Sequence, residues 1–379
     1  MNILILTGKF GMGHFSAAET LGLEIQKLFS NASVTVVDLV EYSIPVSDVY
    51  YRSFRFFVTR CQKAYNAYYK GTDRMAALRG ENKIPLIHHF LKKLESLLQR
   101  EQPDMIVCTL PICAQVVSEY KRRFDAPIPL ITCITDVSTH GEWINPGTDV
   151  YLVPCESVKE GIIAKGACPG SILVGGIPVK EQFKTLHHRR AREGKNLLIM
   201  GGGWGLLPKD PAFYETLDTL SGVSTTIIAG NNRSAYERLH GRYANIEVVG
   251  FTDEVYRYME EADLIVTKPG GITLFESIFA ELPLATIAPT LMQEIHNAEF
   301  IEANKIGRVL SSEQEATIRE LSAMLNDDIA LADIRANMRR LKATLEPNVV
   351  IKALGQILDR QAEAAREELA TLHEGGVLA

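Results

Sequence analysis

The chain opens the same way twice. Residues 3–7, ILILT, run into the loop Gly8-Lys9-Phe10-Gly11-Met12-Gly13, and residues 196–200, NLLIM, run into Gly201-Gly202-Gly203-Trp204-Gly205. A short apolar run ending in a glycine turn reads as a buried parallel strand that hands over to a helix. Two such openings about 195 residues apart indicate two Rossmann-like domains with a cleft between them. The length, 379 residues, suits two or three domains.

Residues 263–300, DLIVTKPGGITLFESIFAELPLATIAPTLMQEIHNAEF, carry the densest signals. Leu264-Ile265-Val266-Thr267 reads as a strand, Lys268-Pro269-Gly270-Gly271 as a breaker, residues 273–280 as a helix and 283–287 as the next strand. At the start of that helix the N–H groups of Gly271, Ile272 and Thr273 would be unpaired and aimed at a docked anion. Glu276 lies one turn further in, where a carboxylate accepts two hydroxyls of a ribose. Phosphate on the helix tip and ribose on the glutamate together describe a nucleotide diphosphate. Tight packing is the competing explanation for the glycine pair.

Further strands are expected at 34–38, 105–109, 130–135, 149–153, 225–229, 247–249 and 309–310, with helices between them and a long helix at 349–373. Gly8, Gly11 and Gly13 do not make the GxGxxG fingerprint of dinucleotide enzymes. Asp38 nevertheless ends the second strand, where such enzymes hold a ribose, so position alone leaves a nicotinamide reading open. Asp136 and His140 fall in the loop TDVSTHGEW at a sheet's carboxyl edge, either as site residues or as a loop-stabilising pair.

Composition narrows the class. With 46% apolar and 23% charged residues the chain is an ordinary globular protein. A formal charge of −6 argues against nucleic acid as a partner. Six cysteines without a CxxC pair point to a reduced, cytoplasmic setting rather than a disulfide or zinc framework. No apolar run reaches about 18 residues and no signal sequence is evident, so membrane contact is expected to be peripheral.

Residues 50–70, YYRSFRFFVTRCQKAYNAYYK, supply the surface for it. On a helix, Tyr50, Tyr51, Phe54, Phe57, Val58, Cys61, Tyr65, Tyr68 and Tyr69 share one arc. Arg52, Arg55, Arg60, Lys63 and Lys70 lie opposite, and only Phe56 breaks the pattern. Residues 50–79 hold seven cations against one acid, Asp73. Such a helix suits an anionic membrane surface, with Arg52, Phe54, Arg55, Phe57, Arg60 and Lys63 in contact. A core helix with a solvated face is the plainer alternative.

The pattern KPGG-x-T-x-x-E, a strand, then P-x-x-x-QE-x-x-NA resembles the donor half of GT-B glycosyltransferases. It looks most like the branch of monogalactosyldiacylglycerol synthases and bacterial diacylglycerol glucosyltransferases; the lipid II-forming transferase is a more distant relative. GKFGMGHFSAA is similar to that branch's GxGH-x-x-A segment, and Thr135, Asp136, His140 and Trp143 match its TD-x-x-x-H-x-x-W. The resemblance implies an α/β GT-B fold. Residues 1–180 would form an acceptor and membrane-facing domain, 181–195 a linker and 196–345 a donor domain. Residues 346–379 would be a helix packing partly back on the first domain.

By the same resemblance Glu276 would bind the ribose of UDP, and Gln293, Glu294 and Asn297 would face the sugar. Amides of Gly202 and Gly203 would reach the diphosphate or sugar, and backbone near Phe251 the uracil. Gly13, His140 and Trp143 would line the substrate site. His14 would be the general base, with Asp136 as the alternative. At a helix N-terminus the dipole disfavours imidazolium, which keeps a histidine neutral at physiological pH, as proton abstraction requires. The sequence has no Asp-x-Asp, so neither a metal nor another cofactor is expected beyond the UDP-sugar substrate. The expected activity is inverting transfer of a hexose from UDP to a diacylglycerol-like lipid hydroxyl, at the cytoplasmic face of the membrane.

The alternatives are a GT-B enzyme with another acceptor, a UDP-N-acetylglucosamine 2-epimerase and a sensor with a disabled site. Lys268-Pro269-Gly270-Gly271 replaces the epimerases' Asp-Ser-Gly-Gly turn. His14, Glu276 and Gln293 together count against a sensor.

Overall fold

Strands buried on both faces must be apolar throughout, and runs such as Met105–Cys108 and Leu264–Thr267 are buried at every residue. The computed structural model describes residues 1–79, 86–186, 194–203 and 205–375. Its first sheet holds β1 (Asn2–Thr7), β2 (Ser33–Asp38), β3 (Met105–Cys108), β4 (Leu130–Cys133), β5 (Val150–Val153) and β6 (Ile172–Val174). They are ordered β2-β1-β3-β4-β5-β6. The second holds β7 (Lys195–Met200), β8 (Val223–Ile228), β9 (Ile246–Val249), β10 (Leu264–Thr267), β11 (Leu284–Thr286) and β12 (Gly307–Val309). Its order is β12-β11-β10-β7-β8-β9. All the pairings are parallel.

The strand order reverses between β1 and β3 in one sheet and between β7 and β10 in the other. Open α/β sheets bind ligands beyond the carboxyl ends of strands at such switch points. The loops that leave β1, β7 and β10 there are the glycine loop 8–11, the glycine loop 201–205 and the turn 268–270. The two sheets share a core in which Ile177, Val179 and Phe183 meet Phe275 and Ile278. The last helix, Val349–Gly375, lays Val350, Ala353, Leu354 and Ile357 on the first sheet.

Two expectations need revision. No strand was expected at β6, which is three residues long and only partly buried. Residues 50–70 are not one helix but parts of two, Ser47–Arg60 and Gln62–Arg79, broken at Cys61 where φ is −117° and ψ 40°. The break folds the aromatic arc onto itself: Tyr65 meets Phe54 at 6.1 Å and Phe57 at 6.0 Å, edge to face. Phe54, Phe57 and Tyr69 join Val58, Tyr65 and Leu291 of the other domain in one cluster. Phe54 and Phe57 are therefore half-buried against this cluster rather than standing on the exposed side. Arg52, Arg55, Arg60 and Lys63 stay exposed. The expected linker, 181–195, includes residues 187–193, and they, Trp204 and residues 80–85 lie outside the described residues.

Candidate active site

The first helix, Met12–Leu28, starts at Gly11, whose φ of 143° is open to glycine and strained for other residues. That start sets His14 on the cleft wall. His14 Nδ1 lies 3.0 Å from the Thr109 carbonyl at the end of β3 and 2.6 Å from Thr135 Oγ1 beyond β4. A carbonyl only accepts, so Nδ1 carries the hydrogen and Nε2 the lone pair. Burial lowers the imidazole pKa to about 4, against the opposing pull of the Thr109 carbonyl. The ring is neutral across the physiological range, with its Nε2 lone pair unprotonated.

Across the cleft, helix Gly271–Ala280 begins without a side-chain cap. Its first N–H groups have no intrahelical acceptor. A Cβ on Gly271 would lie 2.1 Å from the Thr135 carbonyl and 3.1 Å from Asp136 Oδ1. Glycine is required there by the approach of the other domain, so the packing explanation holds for this residue alongside the helix tip. Glu276, on the same helix, is held by burial at a pKa of about 7, with Lys180 opposing. Burial also lifts Asp136 to about 7; the Asn297 amide and Lys268 oppose it, and Glu294 adds to it.

One cavity of about 570 Å³ joins these groups. His14, Gly13, Asp136, His140 and Trp143 reach it from the first domain. Gly202, Gly203, Gly271, Ile272, Thr273, Glu276, Gln293 and Glu294 reach it from the second. Gly13 and Gly203 are also close-packing positions, since a Cβ would meet Ile272 at 3.3 Å and Met12 at 2.5 Å respectively. Gln293 brings a buried Oε1 with no hydrogen-bond partner among the described residues.

His140 sits in the wall with both nitrogens occupied. Nε2 donates to the Tyr69 carbonyl at 2.8 Å, and Nδ1 accepts the Glu142 N–H at 3.2 Å. Its side chain therefore braces the loop against helix Gln62–Arg79 and has no free polar atom for a ligand.

Two expected residues are elsewhere. Asn297 does not face the cavity: it is fully buried, with its amide spent on Val137, Pro269 and Asp136. Phe251 is 60% exposed beyond β9, outside the cavity lining. Sequence reading passed over Lys268, treated only as part of a breaker. Its Nζ lies 2.6 Å from Glu294 Oε1 in the cavity, and its stem crosses Gly202, where a Cβ would be 3.0 Å away. A cation directly after a strand at a switch point was the available signal.

Two Rossmann-like domains face each other across one cavity, with a basic histidine on one side and a helix tip and carboxylate on the other. This defines a GT-B glycosyltransferase. The sequence matches the family described as monogalactosyldiacylglycerol (MGDG) synthase over residues 14–179, and the glycosyltransferase family 28 C-terminal domain over 217–352. A processive diacylglycerol beta-glucosyltransferase of Bacillus licheniformis is 31% identical over 368 residues, covering 92% of this chain and 93% of its own. That of Bacillus subtilis is 29% identical, covering 92% and 94%. MurG of Acinetobacter baumannii shares the fold with a TM-score of 0.63 at 13% identity, over 94% of this chain and 99% of its own. The chain belongs to the family of monogalactosyldiacylglycerol synthases and diacylglycerol glucosyltransferases.

Proposed function

We propose that this glycosyltransferase moves a hexose from a UDP-sugar, with inversion, onto the hydroxyl of a diacylglycerol-like lipid. The observation that carries the reading is the single cavity holding His14 from one domain and Glu276 with its helix tip from the other. Glu276 accepts the ribose hydroxyls, and the N–H groups of Gly271, Ile272 and Thr273 take the diphosphate. His14 Nε2 removes the acceptor proton as the acceptor oxygen bonds to the anomeric carbon. The bond from that carbon to the β-phosphate oxygen breaks, and its electron pair leaves with UDP. The helix tip and Lys268 stabilise the charge that grows there, in place of a metal ion. A chelator added to the assay tests that last assignment.

The acceptor side fits a lipid. Near His14 the cavity wall is apolar, with Phe10, Ile44, Phe54, Phe90 and Leu110. No helix among the described residues is long and apolar enough to cross a membrane. Peripheral contact with anionic lipid on the cytoplasmic face falls to the outer side of the two aromatic helices. There Phe56, 63% exposed, stands on the same helix as the exposed Arg52, Arg55 and Arg60, and Lys63 is exposed on the next.

The epimerase alternative shares the fold: the structure titled a putative UDP-N-acetylglucosamine 2-epimerase from Listeria monocytogenes has a TM-score of 0.60 at 13% identity, a likeness that extends to fold alone. Incubating UDP-glucose, UDP-galactose and UDP-N-acetylglucosamine with diacylglycerol vesicles, weighing the lipid products and resolving the nucleotide sugars by chromatography against epimer standards, separates the two. A glycosylated lipid supports transfer; epimerised donor with unchanged lipid refutes it.

A further inference from the structure

The loop that carries Thr135, Asp136 and Val137 and the donor turn are joined through one side chain with no exposed surface. Asn297, in helix Met292–Ala303, accepts the Val137 N–H on Oδ1 at 2.8 Å. Its Nδ2 donates to the Pro269 carbonyl at 2.9 Å and to Asp136 Oδ1 at 3.3 Å. Asp136 and Val137 belong to the loop after β4 in the first domain. Pro269 belongs to the turn after β10 in the second. Both ends of one amide are therefore spent across the domain boundary, away from water, where an unmet partner is costly.

The loop that Asn297 grips also positions His14. Thr135 Oγ1 contacts His14 Nδ1 at 2.6 Å, and the Thr135 carbonyl rests on Gly271 so closely that only glycine fits. A displacement of residues 135–137 would move the histidine, Asp136 and the helix tip relative to one another. Sub-ångström placement of reacting groups controls rate far more than affinity.

We propose that Asn297 is a positioning residue that latches the 135–137 loop to the donor turn, so that His14 and Asp136 are in working position only when the domains are closed. This rests on the cavity being the transfer site. It differs from the sugar contact that family resemblance implies for this position. The chemistry suits a latch: an amide can exchange its partners for water when the cleft opens, which an apolar contact cannot do.

The test uses the full chain with Asn297→Leu, similar in volume without polar atoms, and Asn297→Asp. The aspartate keeps an acceptor for Val137 and turns a second oxygen toward Pro269 and Asp136. UDP calorimetry certifies each variant as folded in the donor domain. With UDP-glucose and diacylglycerol vesicles, kcat should fall about 100-fold while donor KM stays within about threefold. In small-angle scattering the variants should have a larger radius of gyration than the parent. A kcat within twofold of the parent, a loss confined to donor KM, or an unchanged radius overturns the latch. If Asn297→Leu does not fold, Asn297→Asp decides by the same criteria. A parent that transfers no sugar at all refutes the transfer reading, and the scattering comparison still decides the latch.

Discussion

His14 Nδ1 donates to the Thr109 carbonyl at 3.0 Å, and that bond leaves Nε2 as the basic end of the ring. With its pKa lowered to about 4 by burial, His14 stays neutral well below the pH at which an ordinary histidine charges. It should therefore contribute no acid limb to kcat/KM above about pH 5. Asp136, raised to about 7 by burial, loses its charge as pH falls through that value. In kcat at saturating UDP-sugar, where bound donor holds Glu276 ionised, the parent should show an acid limb near pH 7, and Asp136→Asn should remove it. A limb near 7 that survives in Asp136→Asn and vanishes in His14→Asn would reverse the assignment.

Glu276 gives UDP binding its own pH dependence. Burial holds its pKa at about 7 in the free protein, and the ionised form is the better acceptor for ribose hydroxyls. Affinity should rise as pH increases from 6 to 8. UDP ionises near the low end of this range, so the comparison is with Glu276→Gln, which should keep only the nucleotide's share. Calorimetric titrations at several pH values read the difference, and equal slopes in parent and variant would count against the contact.

The glycine pair of the donor turn separates packing from ligand binding. A Cβ on Gly271 would lie 2.1 Å from the Thr135 carbonyl, whereas one on Gly270 would meet nothing within 4 Å. Gly271→Ala should destabilise the closed protein by about 1–3 kcal/mol through overpacking. Gly270→Ala should leave the denaturation midpoint close to the parent. Paired denaturant titrations check this, and similar midpoints for both variants would contradict it.

At the membrane, inward and outward residues of the aromatic helices should respond differently. Each exposed cation contributes up to about 1 kcal/mol toward anionic lipid before screening. Replacing Arg52, Arg55, Arg60 and Lys63 with Glu should abolish vesicle flotation, and Phe56→Ser should weaken it. Phe54→Ala should instead lower the melting temperature while flotation persists, because Phe54 packs on Tyr65. A quadruple variant that floats like the parent would remove this face as the membrane contact.

The sequence was most informative where burial acts on every residue. Leu264–Thr267 was legible to the residue because a central parallel strand is covered on both faces. The helix tip and Glu276 followed from that strand's end. β6 escaped because three residues, one buried and two half-covered, leave no pattern. Periodicity found the aromatic arc of residues 50–70 but could not say what covers it; the break at Cys61 and the contact with Leu291 decide that. Asn297 was placed near the site by its motif, yet which way its amide turns depends on the other domain's loop. Lys268 was legible in principle and was hidden by the glycines beside it.

Transfer as proposed requires one cleft that unites a base on one domain with a UDP-sugar site on the other. The direct measurement is turnover and UDP affinity, side by side, for His14→Ala and Glu276→Ala. His14→Ala should lose about 10²–10⁴-fold in turnover and bind UDP like the parent. Glu276→Ala should lose about 1–3 kcal/mol of UDP affinity. Parental turnover in His14→Ala, or parental UDP affinity in a folded Glu276→Ala, would contradict the claim.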